Sequence, residues 1–297
     1  MGHTPVLLQE TIALLSLKSD DVVVDATLGG AGHARAIAKC LGAKGVFVGV
    51  DADSDAVRRA REALADVTAP TVALIEGNFR ELARMLSEQK ILSIDKALFD
   101  LGWSSYQLQA GRGFSFLSDE PLRMTYAHDQ GVNAEVVVNE WSEETLADII
   151  YGFGEERFAR RIARRIVEAR ERKHIDTARE LGEVIRSAVP ATYARHRIHP
   201  ATKTFQAIRI AVNDELGALD QGLRAAWEHM AAGGRIAVIT FHSLEDRLVK
   251  RLFLSWEQVA DGKRITKKPL TPSAEEIQEN PRARSAKLRV VEKIKHA

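Results

Sequence analysis

Short apolar runs alternate with amphipathic stretches through the first third of the chain. VVVD at 22–25, VFVGV at 46–50, TVALIEG at 71–77 and KALFD at 96–100 read as buried strands. Between them HARAIAKCL at 33–41, a stretch from Ser54 onward and another near Arg80 to Glu88 repeat at helical spacing. Strands separated by helices of about ten residues are the pattern of a parallel sheet covered on both faces. After Asp100 the rhythm changes to helical periodicity and turn clusters. The clearest helix there runs from about Glu155 to Arg172, with Phe158, Ile162 and Ile166 recurring every fourth residue. At 235–241 RIAVITF reads as a strand after the Gly233-Gly234 turn, followed by the helix EDRLVKRLF and the alternating LRVVEKI at 288–294. The pattern predicts a discontinuous, doubly wound α/β domain, residues 1–107 plus 205–297, interrupted by a small α-helical domain at 108–204. Pro269, Pro272 and Pro281 mark a surface excursion.

Composition narrows the class. With 45% hydrophobic and 28% charged residues in 297, the chain is neither disordered nor fibrous. Cys40 is its one cysteine, so no internal disulfide forms and a reducing, cytoplasmic setting is expected. No stretch approaches a membrane span, and MGHTPVLLQE lacks the layout of a signal peptide. The net charge of +1 hides a division: residues 155–173 carry +4 and residues 263–297 carry +6, leaving the rest acidic. Such basic segments suit either a solvated helix face with i,i+4 pairs or a polyanionic partner.

The chemistry gathers at the predicted strand ends. The first strand runs into Asp25-Ala-Thr-Leu-Gly29-Gly30-Ala31-Gly32-His33 just ahead of a helix, where backbone amides accept a close-approaching ligand. Asp51 closes the second strand, 19 residues past Gly32, at the place where a carboxylate takes the two hydroxyls of a ribose. Arg35 stands where a dinucleotide fingerprint begun at Gly30 needs glycine or alanine, which disfavours nicotinamide. Phe79 follows the third strand, where its ring serves either the core or an adenine. Asp100 ends the fourth and opens the loop Leu101-Gly-Trp-Ser104-Ser105-Tyr-Gln107, so Asp25, Asp51 and Asp100 converge on one crevice. In HPATKTFQAIRIAVNDEL, Phe205, Ile208, Val212 and Leu219 face a core, while Thr202, Gln206, Arg209 and Asn213 line a polar face, solvated or part of an RNA groove. His242 ends the fifth strand and suits a substrate contact, and Ser243-Leu-Glu-Asp246 reads as a capping box rather than a nucleophile. The histidines at 174, 196 and 199 have no metal-ligand spacing, so no metal is expected.

The blocks DATLGGAGHARAI, FDLGWSSYQL, FARRIARRIVEARE, RIHPATKTFQAIRIAVNDEL, GGRIAVITFHSLEDRLVKR and NPRARSAKLRVVEK resemble the RsmH (MraW) family over nearly the whole chain. That resemblance implies a Rossmann-like class I fold that uses S-adenosyl-L-methionine to methylate N4 of a cytidine in 16S ribosomal RNA, with the small ribosomal subunit or its RNA as partner. It implies cofactor contacts at Ala31, Gly32, His33, Asp51, Phe79, Asp100 and Gln107, beside Gly30 of the same loop. Ser104, Ser105, Arg209, Asn213 and His242 are the expected substrate contacts and Asp100 the expected catalytic group. Two departures stand out. Ala31 replaces a glycine common in the family, and Asp119-Glu-Pro-Leu-Arg-Met-Thr-Tyr-Ala127 replaces an Asp-Gly-Pro-Leu-Asp-Met-Arg-Met-Asp stretch. Two other classes stay open from the residues alone: a methyltransferase acting on a protein or small molecule, and a nonenzymatic RNA-binding assembly protein.

Overall fold

Seven strands build one sheet: β1 (Val22–Asp25), β2 (Val46–Asp51), β3 (Thr71–Glu76), β4 (Ile94–Asp100), β5 (Met230–Thr240), β6 (Gly262–Arg264) and β7 (Lys287–Lys293). Their order is β3-β2-β1-β4-β5-β7-β6. The first five are mutually parallel, and β7 runs antiparallel to both β5 and β6. This computed structural model describes residues 4–102, 106, 111–127, 131–194 and 199–294.

The unbroken apolar runs of the central strands are explained by burial of both faces, since neighbouring side chains on a strand point opposite ways. Val24, Val48, Phe99 and Val238 pack with Leu82, Met85, Leu223, Trp227 and Phe253 on one face. Val23, Phe47, Leu98 and Ala237 pack with Leu7, Leu15, Ile37 and Val57 on the other. The chain winds outward from β1 through β2 to β3, then restarts at β4 and winds the opposite way. The reversal puts a topological switch point between β1 and β4, and ligands of open α/β sheets bind beyond the carboxyl ends of the strands at such a point.

The chain divides into two compact units, residues 1–104 with 216–297, and residues 105–215. The second begins and ends near the expected insertion, with one difference. The helix Ala201–Asn213 belongs to it, where it packs against Ala134–Glu140, Glu143–Gly152 and Ala178–Ala188. An apolar helical repeat shows that a helix is buried but not in which core. This helix is buried nearly all round, including Thr204, Phe205, Ile208, Arg209 and Asn213.

Side-chain caps delimit the helices of the second unit. Asn133 accepts from the Val136 amide, Ser142 from Thr145, and Thr177 forms a reciprocal capping box with Glu180. The arginine-rich helix spans Ala159–Arg170, with Ala159, Ile162, Ala163 and Ile166 buried and Arg160, Arg161 and Arg164 exposed. Phe158 lies just before it. Glu156, fully buried ahead of this helix, accepts from the Phe158 amide at 2.9 Å and the Tyr193 hydroxyl at 2.6 Å.

Candidate active site

The loop after β1 is shaped by left-handed backbone. Gly29 has φ +47° and Ala31 φ +61°, a region that glycine enters freely and an alanine enters at a cost. Ala31 leads directly into the helix Gly32–Cys40, whose first-turn amides have no intrahelical acceptor. Gly32 is required for a second reason: a Cβ there meets the Pro5 ring at 2.8 Å, so the N-terminal segment closes on the helix start.

Asp51 ties this loop to the end of β2. One carboxylate oxygen accepts from the Gly29 amide at 2.8 Å and the other from the Asp53 amide at 2.9 Å. Burial pushes its carboxyl up to about 6, against the pull of those two amides. Asp25, at the end of β1, accepts from the Thr27 amide at 3.1 Å through one oxygen, while its other oxygen is buried without a partner. Burial pushes this carboxyl up to about 7, opposed by His33 and the Thr27 amide and reinforced by Asp100 and Asp51. Three carboxylates at neighbouring strand ends therefore share one electrostatic neighbourhood, as the switch point requires.

Thr27 connects β1 to β4, its hydroxyl oxygen accepting from the Asp100 amide at 2.7 Å. Sequence reasoning passed over Thr27; the signal is its place two residues after the strand-ending aspartate. Asp100 Oδ2 lies 3.4 Å from His33 Nδ1, and Asp100 Oδ1 is buried without a partner. His33 is buried at 6% exposure, and its Nε2 lies 3.1 Å from the Val6 carbonyl oxygen. Burial works against a charge on this ring, but Asp100 and Asp25 outweigh it and raise its pKa.

Phe79 opens a short 3₁₀ turn after β3, capped by Asn78, which accepts from the Arg80 amide. Its ring is half-buried and edge-on to Phe99 at 5.6 Å, and a Cβ on Gly222 meets it at 2.7 Å. The structure thus brings Gly30, Ala31, Gly32, His33, Asp51, Phe79 and Asp100 into one unit, at the carboxyl ends of β1 to β4 or in the loops that follow. Ser104, Ser105 and Gln107 lie outside the described residues.

The expected substrate contacts Arg209, Asn213 and His242 occupy less open surroundings than the sequence suggested. Arg209 is buried and makes a two-pronged ion pair with Glu215 at 2.8 and 3.0 Å. Asn213 accepts from the Tyr126 amide and donates to the Met124 and Arg209 carbonyls. Tyr126 completes the set by donating its hydroxyl to Glu215 at 2.8 Å. Their polar face is therefore covered by the 124–126 segment rather than open. His242, not Ser243, caps the helix Ser243–Gln258, paired reciprocally with Glu245, whose carboxylate also lies 3.1 Å from the imidazole Nε2. The cap sits one residue earlier than expected because Glu245 reaches back to the Phe241 and His242 amides.

The strand order with β7 reversed beside β5, the loop of left-handed backbone after β1 and the carboxylate ending β2 together give the chain the Rossmann-like fold of class I methyltransferases. The sequence pattern of the MraW methylase family extends over residues 1–294, and the chain belongs to that family. It is 44% identical to the ribosomal RNA small subunit methyltransferase H of Symbiobacterium thermophilum over 98% of this chain and 96% of that protein. The enzyme of the same name from Clostridium botulinum strain Kyoto is 45% identical over 98% and 99%. Among solved structures, an rRNA methylase from Streptococcus thermophilus aligns over 96% of this chain and 95% of its own, at 12% identity and a TM-score of 0.48.

Proposed function

We propose that the chain transfers a methyl group from S-adenosylmethionine to N4 of a cytidine in the decoding region of 16S ribosomal RNA. The observation that carries the substrate assignment is end-to-end similarity to relatives named as small-subunit rRNA methyltransferases, at 44% and 45% identity. The site supports the cofactor. Each Asp51 oxygen spends one lone pair on a backbone amide and retains a second for a ribose hydroxyl. Asp25 and Asp100 each keep a buried, unpartnered oxygen suited to the donors of an adenosyl amino acid. Gly30 to His33 offer backbone amides at a helix start, and Phe79 offers an aromatic edge.

S-adenosylmethionine, when bound, supplies a methyl group already activated by its sulfonium. What the chain must do is hold the acceptor nitrogen in line and keep water away. The N4 lone pair of cytosine is delocalised into its ring, so an acceptor for the amine's hydrogens favours the tetrahedral, more nucleophilic nitrogen. Asp100 fills that role, its backbone pinned by Thr27 and one carboxylate oxygen still unpartnered.

The target base has to leave its stack to reach a strand-end site, which loops and junctions of folded RNA permit. The second unit supplies the RNA contact in this reading. A cleft of about 490 Å³ on it is lined by Ala147, Asp148, Tyr151, Arg157, Arg160 and Arg161, and Tyr151 is 69% exposed. Exposed aromatic and guanidinium groups side by side suit a splayed base and its phosphates. Since its substrate is ribosomal RNA, the enzyme works in the cytoplasm. Among the described residues no helix is long and apolar enough to cross a membrane. The decisive experiment is tritiated methyl transfer to small subunits from cells lacking the enzyme, with the product nucleoside identified by mass spectrometry. N4-methylated cytidine is expected; label on a ring carbon or a 2′-oxygen defeats the assignment.

A further inference from the structure

His33 sits between two acceptors. Its Nε2 faces the Val6 carbonyl oxygen at 3.1 Å, and a carbonyl only accepts, so Nε2 carries a proton in either charge state of the ring. In a neutral ring with that tautomer, Nδ1 is a bare lone pair. That lone pair would then confront Asp100 Oδ2 at 3.4 Å, acceptor against acceptor, inside a pocket where His33 is 6% and Asp100 15% exposed. Such a pair is repulsive, and the low exposure of both groups limits how far solvent can relieve it. One proton therefore belongs between Nδ1 and Oδ2. The charged groups facing the ring among the described residues are Asp100 from the end of β4 and Asp25 from the end of β1. Both are acids, so they favour placing that proton on the imidazole. Asp51 acts on the cluster at one remove, through Asp25.

We propose that His33 is a positioning residue whose imidazolium shares its Nδ1 proton with Asp100, holding that carboxylate oriented at the mouth of the switch point. Asp25 and Asp100 are like charges close together, and the imidazolium between them offsets part of that repulsion. It also explains why a histidine, and not simply any helix-starting residue, follows Gly32: the fold delivers the Val6 carbonyl to one ring nitrogen and β4 to the other. The inference rests on the reading of Asp100 as the acceptor for the amine only for its catalytic consequence, not for the protonation state itself.

Two measurements test it. In full-length ¹⁵N-labelled protein without ligand, long-range proton–nitrogen correlation reads the protonation of each of the nine histidine rings, with His33 assigned by its disappearance in His33→Asn. At pH 7.5 both His33 nitrogens are expected to be protonated, and in Asp100→Asn the Nδ1 proton is expected to be lost while Nε2 keeps its own. A neutral His33 in the wild type, or an imidazolium indifferent to Asp100→Asn, overturns the proposal. The second measurement is the pH profile of methyl transfer to small subunits. In His33→Asn the acid limb is expected to move up by about one to three pH units, the span an opposite charge imposes on a neighbouring carboxylate. The same displacement is expected in an Asp25→Asn background, where Asp25 no longer titrates. A lower rate with an unmoved limb, or a displacement that vanishes without Asp25, sinks the positioning role. Full methyl transfer by Asp100→Asn would instead defeat the amine-acceptor reading, and the ring protonation measured without substrate would still decide the pair.

Discussion

Ala31 shows how much a single backbone angle carries. Its φ of +61° is the conformation the loop needs, held by a residue that pays for it. The left-handed region costs an L-residue about 1–2 kcal/mol, and glycine's greater unfolded freedom offsets about half of that. Ala31→Gly is therefore expected to stabilise the protein by about 0.5–1 kcal/mol in denaturant unfolding, with methyl transfer retained. A destabilised variant would mean that the alanine methyl packs well enough to outweigh its strain. Asp25 makes the opposite kind of demand. A carboxyl whose folded pKa lies above its unfolded one binds more protons folded than unfolded between the two values. The stability it contributes is thus greatest at low pH and declines as pH rises from about 4 to about 7. Asp25→Asn is expected to stabilise the ligand-free chain at pH 8 by roughly 1–3 kcal/mol, and by far less at pH 5. Melting curves at the two pH values check the sign; equal effects at both would mean that Asp25 titrates normally.

At the scale of elements, the segment from Asp119 to Ala127 is held by several supports. Glu120 accepts from the Gly113 amide at 2.9 Å, and Tyr126 stacks on Phe114 while bonding Glu215. Leu122 and Met124 are buried, and Asn213 holds the backbone on either side of Thr125. Asn213→Ala removes a carboxamide that satisfies buried backbone groups, so a loss of about 2–3 kcal/mol of stability is expected from equilibrium unfolding. A change within a few tenths would show that water replaces it. The arginine-rich helix carries a different kind of test. If Arg160 and Arg161 each meet a phosphate, Arg160→Gln with Arg161→Gln lowers the salt slope of single-stranded RNA affinity by about 1.4, at about 0.7 per phosphate. An unchanged slope assigns those side chains to a merely solvated face.

For the whole molecule, a ligand that binds only the folded chain stabilises it by mass action. S-adenosylhomocysteine at a hundred times its Kd is expected to add about 2.7 kcal/mol to the unfolding free energy. Asp51→Ala is expected to abolish most of that gain, because it removes both the proposed ribose acceptor and the tie to Gly29. An undiminished gain in the variant would place the ligand elsewhere.

The continuous apolar runs and the glycine loop were enough to predict the parallel sheet and the gathering of Asp25, Asp51 and Asp100 at strand ends, because those features depend on periodicity and chain order. Periodicity says that a face is covered but is silent on what covers it. For this reason the fate of Arg209 and Asn213, the unit to which Ala201–Asn213 belongs and the shift of the helix cap to His242 emerged only from the folded chain. The reversed β7 beside β5 and the approach of His33 to Asp100 belong to the same category. Both depend on groups far apart in the chain and close in space, and a linear pattern of polar and apolar positions holds no record of that distance.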